Sequence, residues 1–297
     1  LFKSVAMVRS KITHHTLYLT MLAPILSESL RVERLTIPIQ GLSSSLEGTK
    51  IVQLSDLHDD GLCLSSQLLT QAITLSNQEK PDLVVLTGDY ITNEANTIYS
   101  LAPKLKLLQS RVGTYAVLGN HDVLPRHAKP IVTEALTEAN IQVLCNEIVS
   151  PFEDNLPIIG LADFWSGEFN PEPIMSQLGE SQPRLVLSHN PDTASILQRW
   201  RVDLQLSGHT HGGQIVIPGF GPGLMLLQQV REHIPPQLQK CIPYINHCSG
   251  ILKNWQWHQG WHHIRGNQLY VNRGLGTYFP GRFFCPPELT VITLVSG

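Results

Sequence analysis

Ile51-Val52-Gln53-Leu54-Ser55-Asp56-Leu57-His58 runs through apolar residues and stops on two metal-binding types of side chain. Four more stretches do the same. They are Leu83-Val84-Val85-Leu86-Thr87-Gly88-Asp89, Tyr115-Ala116-Val117-Leu118-Gly119-Asn120-His121-Asp122, Leu185-Val186-Leu187-Ser188-His189 and Leu204-Gln205-Leu206-Ser207-Gly208-His209-Thr210-His211. Short runs rich in Val, Leu and Ile read as buried strands. In open α/β sheets, ligands bind beyond the carboxyl ends of the strands. Five such strands deliver Asp, Asn and His side chains to one sheet edge, which is the layout of a metal centre. A single Asp-x-His is a weak signal, whereas five ordered blocks that each end an apolar run are a strong one.

The spaces between these runs fit the same plan. Arg31 to Ile39 alternates apolar and polar residues and reads as an edge strand. Residues 65–79 read as a helix capped by Ser65 or Ser66, with Leu68, Leu69, Ala72, Ile73 and Leu75 on one face. Further helices are predicted over 99–110 and 127–139. Strand and helix alternate at the pitch of βαβ units. Later strands are predicted at 156–161, 184–187, 215–217, 268–272 and 289–295, which implies a second sheet packed on the first.

The ordered blocks resemble those of the calcineurin-like metallophosphoesterases: Asp-x-His (Asp56, His58), Gly-Asp (Gly88, Asp89), Gly-Asn-His-Asp (Gly119 to Asp122), a lone His (His189) and Gly-His-x-His (Gly208 to His211). The resemblance covers roughly Val32 to the C-terminus. It implies an α/β fold built as a four-layer α-β-β-α sandwich of two mixed sheets, with the metal site at the strand C-terminal ends. It implies two divalent metal ions, bridged by Asp89. Asp56, His58 and His211 complete one site, and Asn120, His189 and His209 the other. Such a mixture of ligands suits Mn, Fe or Zn and does not choose among them. The implied reaction is hydrolysis of a phosphoric ester or pyrophosphate bond by a metal-activated hydroxide. His121 is then the general acid, with Asp122 orienting its ring. The block Gly208 to Gln214 and the tail Arg273-Gly274-Leu275-Gly276 … Cys285-Pro286-Pro287-Glu288-Leu289 are similar to a bacterial, often membrane-associated branch. That branch has phosphodiesterase-like and UDP-2,3-diacylglucosamine hydrolase-like members. A nucleotide- or lipid-linked substrate is therefore expected, with phosphomonoester hydrolysis the alternative and a metal-bound protein-interaction scaffold the non-enzymatic one. Arg273 is expected to hold substrate phosphate, and Gly212 and Gly213 to bring backbone N–H groups to it.

Composition bounds these expectations. The 297 residues suffice for one large domain. A net charge of −3 gives no reason to expect nucleic acid as main partner, and no protein partner is evident. The five cysteines (Cys63, Cys145, Cys241, Cys248, Cys285) form no Cys-x-x-Cys pair, which argues against a disulfide framework and a structural zinc site, with Cys241/Cys248 left open. Two regions are read, residues 1–30 and a phosphoesterase domain over 31–297. The first carries Lys3, Arg9 and Lys11 before an apolar run from Leu17 to Leu26, interrupted by Pro24. It reads as an anchor or signal segment, a surface-lying amphipathic segment or a packed helix, so the expected location is cytoplasmic or peripheral to a membrane. An insertion at about 224–265, rich in Trp and His, reads as a lid, a membrane-facing wall or a loop packed on the body.

Overall fold

The computed structural model describes residues 29–235, 239 and 251–297. The readings that concern residues 1–28, and the Cys241/Cys248 pair, lie outside the described residues. Among the described residues the strands are, in chain order, β1 (Arg31–Ile39), β2 (Lys50–Leu54), β3 (Leu83–Leu86), β4 (Thr114–Ala116), β5 (Ile141–Val143), β6 (Glu147–Val149), β7 (Pro151–Asp154), β8 (Ile158–Gly160), β9 (Leu185–Leu187), β10 (Leu204–Ser207), β11 (Val216–Ile217), β12 (Gly221–Pro222), β13 (Gly260–Ile264), β14 (Asn267–Val271) and β15 (Glu288–Ser296). The α-helices are α1 (Ser66–Gln78), α2 (Ile98–Leu105), α3 (Asn120–Val123), α4 (Ala128–Glu138), α5 (Glu172–Met175), α6 (Ala194–Leu197) and α7 (Gly223–His233).

One sheet runs β1-β15-β2-β3-β4-β5 and the other β13-β14-β10-β9-β8-β6. Both are mixed. In the first only β15 and β2 pair antiparallel. In the second, β13–β14 and β6–β8 do so. Successive side chains of a strand face opposite sides, so a fully apolar strand feeds two cores at once. Ile51 and Val85 of the first sheet meet Leu187 and Leu206 of the second in the core between the sheets. Val52 and Val84 point the other way, onto Leu69 and Ile73 of α1, Leu101 of α2 and Leu136 of α4. On the far side, Ile159 and Val186 pack on Met175 of α5 and Leu197 of α6. The result is the expected four-layer α-β-β-α sandwich.

Local signals account for most boundaries. Ser65 Oγ accepts the Leu68 amide at 3.1 Å and caps α1. α2 stops at Leu105, short of the expected residue 110. The Asn77 side chain donates to Leu107 O at 2.8 Å and accepts from the Gln109 amide at 2.9 Å, which pins a turn there to the end of α1. β1 is an edge strand, as its alternation predicts, and pairs parallel to β15 from Arg31↔Glu288 to Ile39↔Ser296. No helix among the described residues is long and apolar enough to cross a membrane.

Part of the 224–265 segment packs on the body. The Asp192 carboxylate accepts the amides of Lys253 and Asn254 at 2.7 and 3.0 Å. Trp255 is buried, with Nε1 donating to Gln228 Oε1 at 2.7 Å. β13 closes one edge of the second sheet.

Candidate metal centre

Each apolar run ends by turning its polar residue into one place. Asp56 and His58 follow β2, Asp89 follows β3, Asn120 opens α3 after β4, His189 follows β9, and His209 and His211 follow β10. Five of these residues sit in left-handed backbone: Asp56 (φ 50°), His58 (48°), Asp89 (57°), His209 (72°) and His211 (50°). Side chains rarely adopt that region, and such strain persists only where neighbours enforce it. Here backbone hydrogen bonds between the turns do so: Asp56 N–H to Gly88 O at 2.9 Å, His58 N–H to Asp89 O at 3.0 Å and Gly208 N–H to His189 O at 3.0 Å. The turns approach so closely that a Cβ at Gly119 would collide with the Asp89 carboxylate, and one at Gly208 with the Ser55 hydroxyl and the Asp56 carboxylate.

The imidazoles are oriented by backbone carbonyls. His58 Nδ1 donates to Ile91 O (3.1 Å), His189 Nδ1 to Thr87 O (2.7 Å), His211 Nδ1 to Gly276 O (3.2 Å) and His209 Nε2 to Ile251 O (2.9 Å). A carbonyl can only accept, so the bonded nitrogen carries a proton and, in a neutral ring, the other keeps its lone pair. Those free nitrogens face one another. His58 Nε2 lies 3.1 Å from His211 Nε2, and His209 Nδ1 lies 3.2 Å from His189 Nε2. Asn120 Oδ1 is 3.2 Å from His189 Nε2. Asp89 Oδ2 stands between the two halves, 3.1 Å from His189 Nε2 and 3.6 Å from His58 Nε2. Backbone carbonyls that orient inward-facing imidazoles are the usual second layer of a metal site.

Electrostatics agree with this donor set. Burial lowers His58 to about 4 and His209 to about 3, and holds His211 well below the usual imidazole value, so all three are neutral at pH 7. Burial also works against charge on His189, but the Asp89 carboxylate overrides it and favours a second proton on that ring, on the Nε2 that faces Asp89. This nitrogen becomes a donor to an ion only when that proton leaves. His189 in turn holds Asp89 ionised. Burial raises Asp56 above the ordinary carboxylate range. Donor atoms of Asp56, His58 and His211, and of Asp89, His189 and His209, each converge within 4.8 Å, and His58, Asp89 and His121 form a third, overlapping group. Neutral imidazoles, carboxylates and an amide oxygen fit divalent ions of intermediate softness.

His121 is held differently. Its Nδ1 donates to Thr92 O at 2.6 Å, and its Nε2 lies 3.5 Å from the Tyr278 hydroxyl. Asp122 therefore does not orient this ring. Its Oδ2 accepts the amides of Asp89 (2.7 Å) and Gly119 (2.9 Å), and its Oδ1 accepts that of Tyr90 (2.9 Å). Both of its carboxylate oxygens are thus engaged by backbone amides. Asp122 supports the backbone that presents Asp89.

The expected phosphate contacts also differ. Arg273 pairs with buried Glu288 at 3.0 Å and with Glu33 at 2.8 Å, so its charge is neutralised away from the site. The Gly212 amide donates to Thr210 Oγ1 (3.1 Å) and that of Gly213 to Thr210 O (2.8 Å), so the turn itself consumes both. Gly213 still lines the adjoining cavity. Sequence reading missed Tyr278, whose hydroxyl lies 2.9 Å from His58 Nδ1. It also missed Arg282, buried and donating to the carbonyls of His211, Gly276 and Cys285, which fastens the 273–285 loop over the candidate ligands.

A cavity of about 830 Å³ opens on this cluster. Asp89, Asn120, His121, His209 and His211 form its polar end, and Leu224, Leu227, Ile251 and Phe279 are among its apolar walls. Trp165 stands over His209, ring edge to face at 4.7 Å.

Two facing sheets with carboxylate, imidazole and amide donors gathered at their strand ends define a metal-dependent hydrolase of phosphate esters. The calcineurin-like phosphoesterase model matches residues 49–213. The chain is similar to phosphodiesterase YaeI of Escherichia coli K12, with 31% identity over 83% of this chain and 82% of that protein. It is 33% identical to the uncharacterized metallophosphoesterase YkuE of Bacillus subtilis 168, over 88% of this chain and 84% of that one. With the UDP-2,3-diacylglucosamine pyrophosphatase LpxG of Chlamydia trachomatis serovar D it shares 28% identity, over 89% and 88%. The chain belongs to the calcineurin-like phosphoesterase family, whose members use divalent metal ions.

Proposed function

We propose that this phosphoesterase holds two divalent ions and cleaves a phosphodiester or pyrophosphate bond in a substrate that carries an apolar, lipid-type group. The single observation that carries the reading is the cavity. Its polar end holds Asp89, Asn120, His209 and His211 together with His121, and its remaining length is walled by Leu224, Leu226, Leu227, Val230 and Ile251. A wholly polar phosphomonoester has no use for such a wall. Binding pockets of this size are usually apolar with a few convergent polar groups. The relatives named phosphodiesterase and UDP-2,3-diacylglucosamine pyrophosphatase support the same bond types. The whole of 31–297 is taken as one domain, since β1 and β15, from its two ends, pair side by side.

In this reading Asp56, His58, Asp89 and His211 hold one ion, and Asp89, Asn120, His189 and His209 the other. When bound, such ions lower the pKa of water and draw charge from the phosphoryl oxygens. The protein does the rest. Its carbonyls fix the four ligand imidazoles, so their lone pairs are oriented before substrate arrives. Thr92 engages His121 Nδ1, which leaves Nε2 beside Tyr278 at the cavity wall as the atom that passes a proton to the leaving oxygen. Trp165 and the apolar wall exclude water from the rest of the substrate. Chemistry of this kind at the mouth of an apolar cavity is compatible with peripheral membrane contact.

The test is hydrolysis of bis(p-nitrophenyl) phosphate beside p-nitrophenyl phosphate, by chelator-stripped protein with and without Mn²⁺. Metal-dependent cleavage of the diester supports the reading. Cleavage of the monoester alone would replace it with a phosphatase. Inertness toward both, together with full metal content, would favour the scaffold alternative.

A further inference from the structure

The cavity mouth has an unusual rim. Phe220, Phe279 and Phe284 are 68%, 67% and 60% exposed, and Ile217 and Phe283 each 41%. These residues are neighbours in space. Phe220 N–H donates to Ile217 O at 2.9 Å within the β11–β12 hairpin. That hairpin joins the second loop through Val216 N–H to Phe283 O at 2.9 Å and the Ile215↔Phe283 bridge. Phe283 and Phe284 pack edge to face at 4.7 Å. Ile217 and Phe279 line the cavity itself. Residues 212–230 contain no charged side chain, and residues 274–284 contain only Arg282, which is buried. Contiguous exposed apolar surface of this kind marks an interaction site, and aromatic side chains suit the boundary between lipid and water.

A second observation identifies the occupant. The first strand leaves the fold beside this rim, since Arg31 N–H donates to Pro287 O at 2.9 Å, three residues from Phe284. The residues before it, 1–28, carry Lys3, Arg9 and Lys11 and no acidic residue before Glu28. A basic stretch of sequence on the chain that enters the fold at Arg31, together with an apolar surface, gives two signals for an anionic bilayer, and stable peripheral binding takes two.

We infer that the face formed by Ile217, Phe220, Phe279, Phe283 and Phe284 docks on an anionic lipid surface, so that substrate passes from the bilayer into the cavity without crossing water. This rests on the lipid-type substrate of the reading above. The experiment uses the full chain loaded with Mn²⁺ and sedimentation with vesicles of phosphatidylcholine alone or mixed with phosphatidylglycerol. The wild type is expected to bind the mixed vesicles, and Phe220→Asp/Phe284→Asp to lower its partition coefficient at least tenfold. Neither residue lines the cavity, so soluble bis(p-nitrophenyl) phosphate should be cleaved by the variant as by the wild type, which also verifies its fold. Phe220→Asn/Phe284→Asn provides a second pair, since Phe284 has φ 49° and Asn tolerates that region. Absence of vesicle binding by the wild type overturns the inference, as does undiminished binding by the variants. A wild type that binds vesicles but cleaves no diester would sink the enzymatic reading and leave the docking face standing.

Discussion

The Tyr278 hydroxyl lies 2.9 Å from His58 Nδ1 and, on its other side, 3.5 Å from His121 Nε2. One phenol thus spans a metal donor and the proposed acid. Removing it leaves both imidazoles on their carbonyls but frees His121 Nε2 from its neighbour. Tyr278→Phe should keep full metal content and lower kcat by about tenfold, the worth of roughly one hydrogen bond. Unchanged kcat in steady-state assays would show that the hydroxyl only fills space.

His121→Ala removes the nitrogen proposed to protonate the leaving oxygen and touches no carbonyl that orients a ligand. Metal content measured by plasma emission should match wild type. The rate on a diester should fall on the order of 10²–10⁴-fold. A leaving group that needs no proton, such as p-nitrophenolate, should lose less than an alkoxide. Equal losses on both would assign His121 to another task.

Asp89 lies within 3.6 Å of donors in both halves of the cluster. Asp89→Asn should therefore empty both metal positions together, with metal content and activity falling in parallel. Retention of one ion per chain would show that the halves bind independently.

Arg273 is the partner of buried Glu288. Burial raises the Glu288 carboxyl above the ordinary glutamate range, and Arg273 opposes that rise. Arg273→Met leaves a buried charge without compensation and should cost about 3–5 kcal/mol at neutral pH. The sign with pH follows from linkage. In the variant the folded state binds the Glu288 proton more tightly than the unfolded chain does, so stability is lost as pH rises above the ordinary glutamate range. Urea midpoints at pH 5 and pH 8 check this; a larger loss at pH 5 would contradict it.

The candidate ligands were legible because each ends an apolar run, and a strand's carboxyl end is where a sheet delivers side chains. The same argument located β1, whose alternation marks a strand with one exposed face. The roles of Arg273 and Asp122 were not legible. Each is a charged residue within a glycine-containing motif, and only the fold reveals that Arg273 pairs with Glu288 and Glu33 and that Asp122 accepts the amides of the Asp89 turn. Tyr278 gave no signal at all. It reaches the site because Leu275 and Gly276 donate backbone hydrogen bonds to Ser55 and Asp56, a pairing between residues more than 200 positions apart. The described residues of the 224–265 segment divide between body and cavity. Its Trp255 is buried in the body while its Leu224 and Leu227 face the cavity.

The place of β15 sets an order of events in biosynthesis. The last strand lies between β1 and β2, so the sheet that carries Asp56, His58 and Asp89 stays split until residues 288–296 have left the ribosome. The loop that buttresses His211 through Gly276 and Arg282 is tethered by that same strand. Until that strand docks, the turn that carries His211 lacks the support of Gly276 and Arg282, so the donor cluster is completed late in folding.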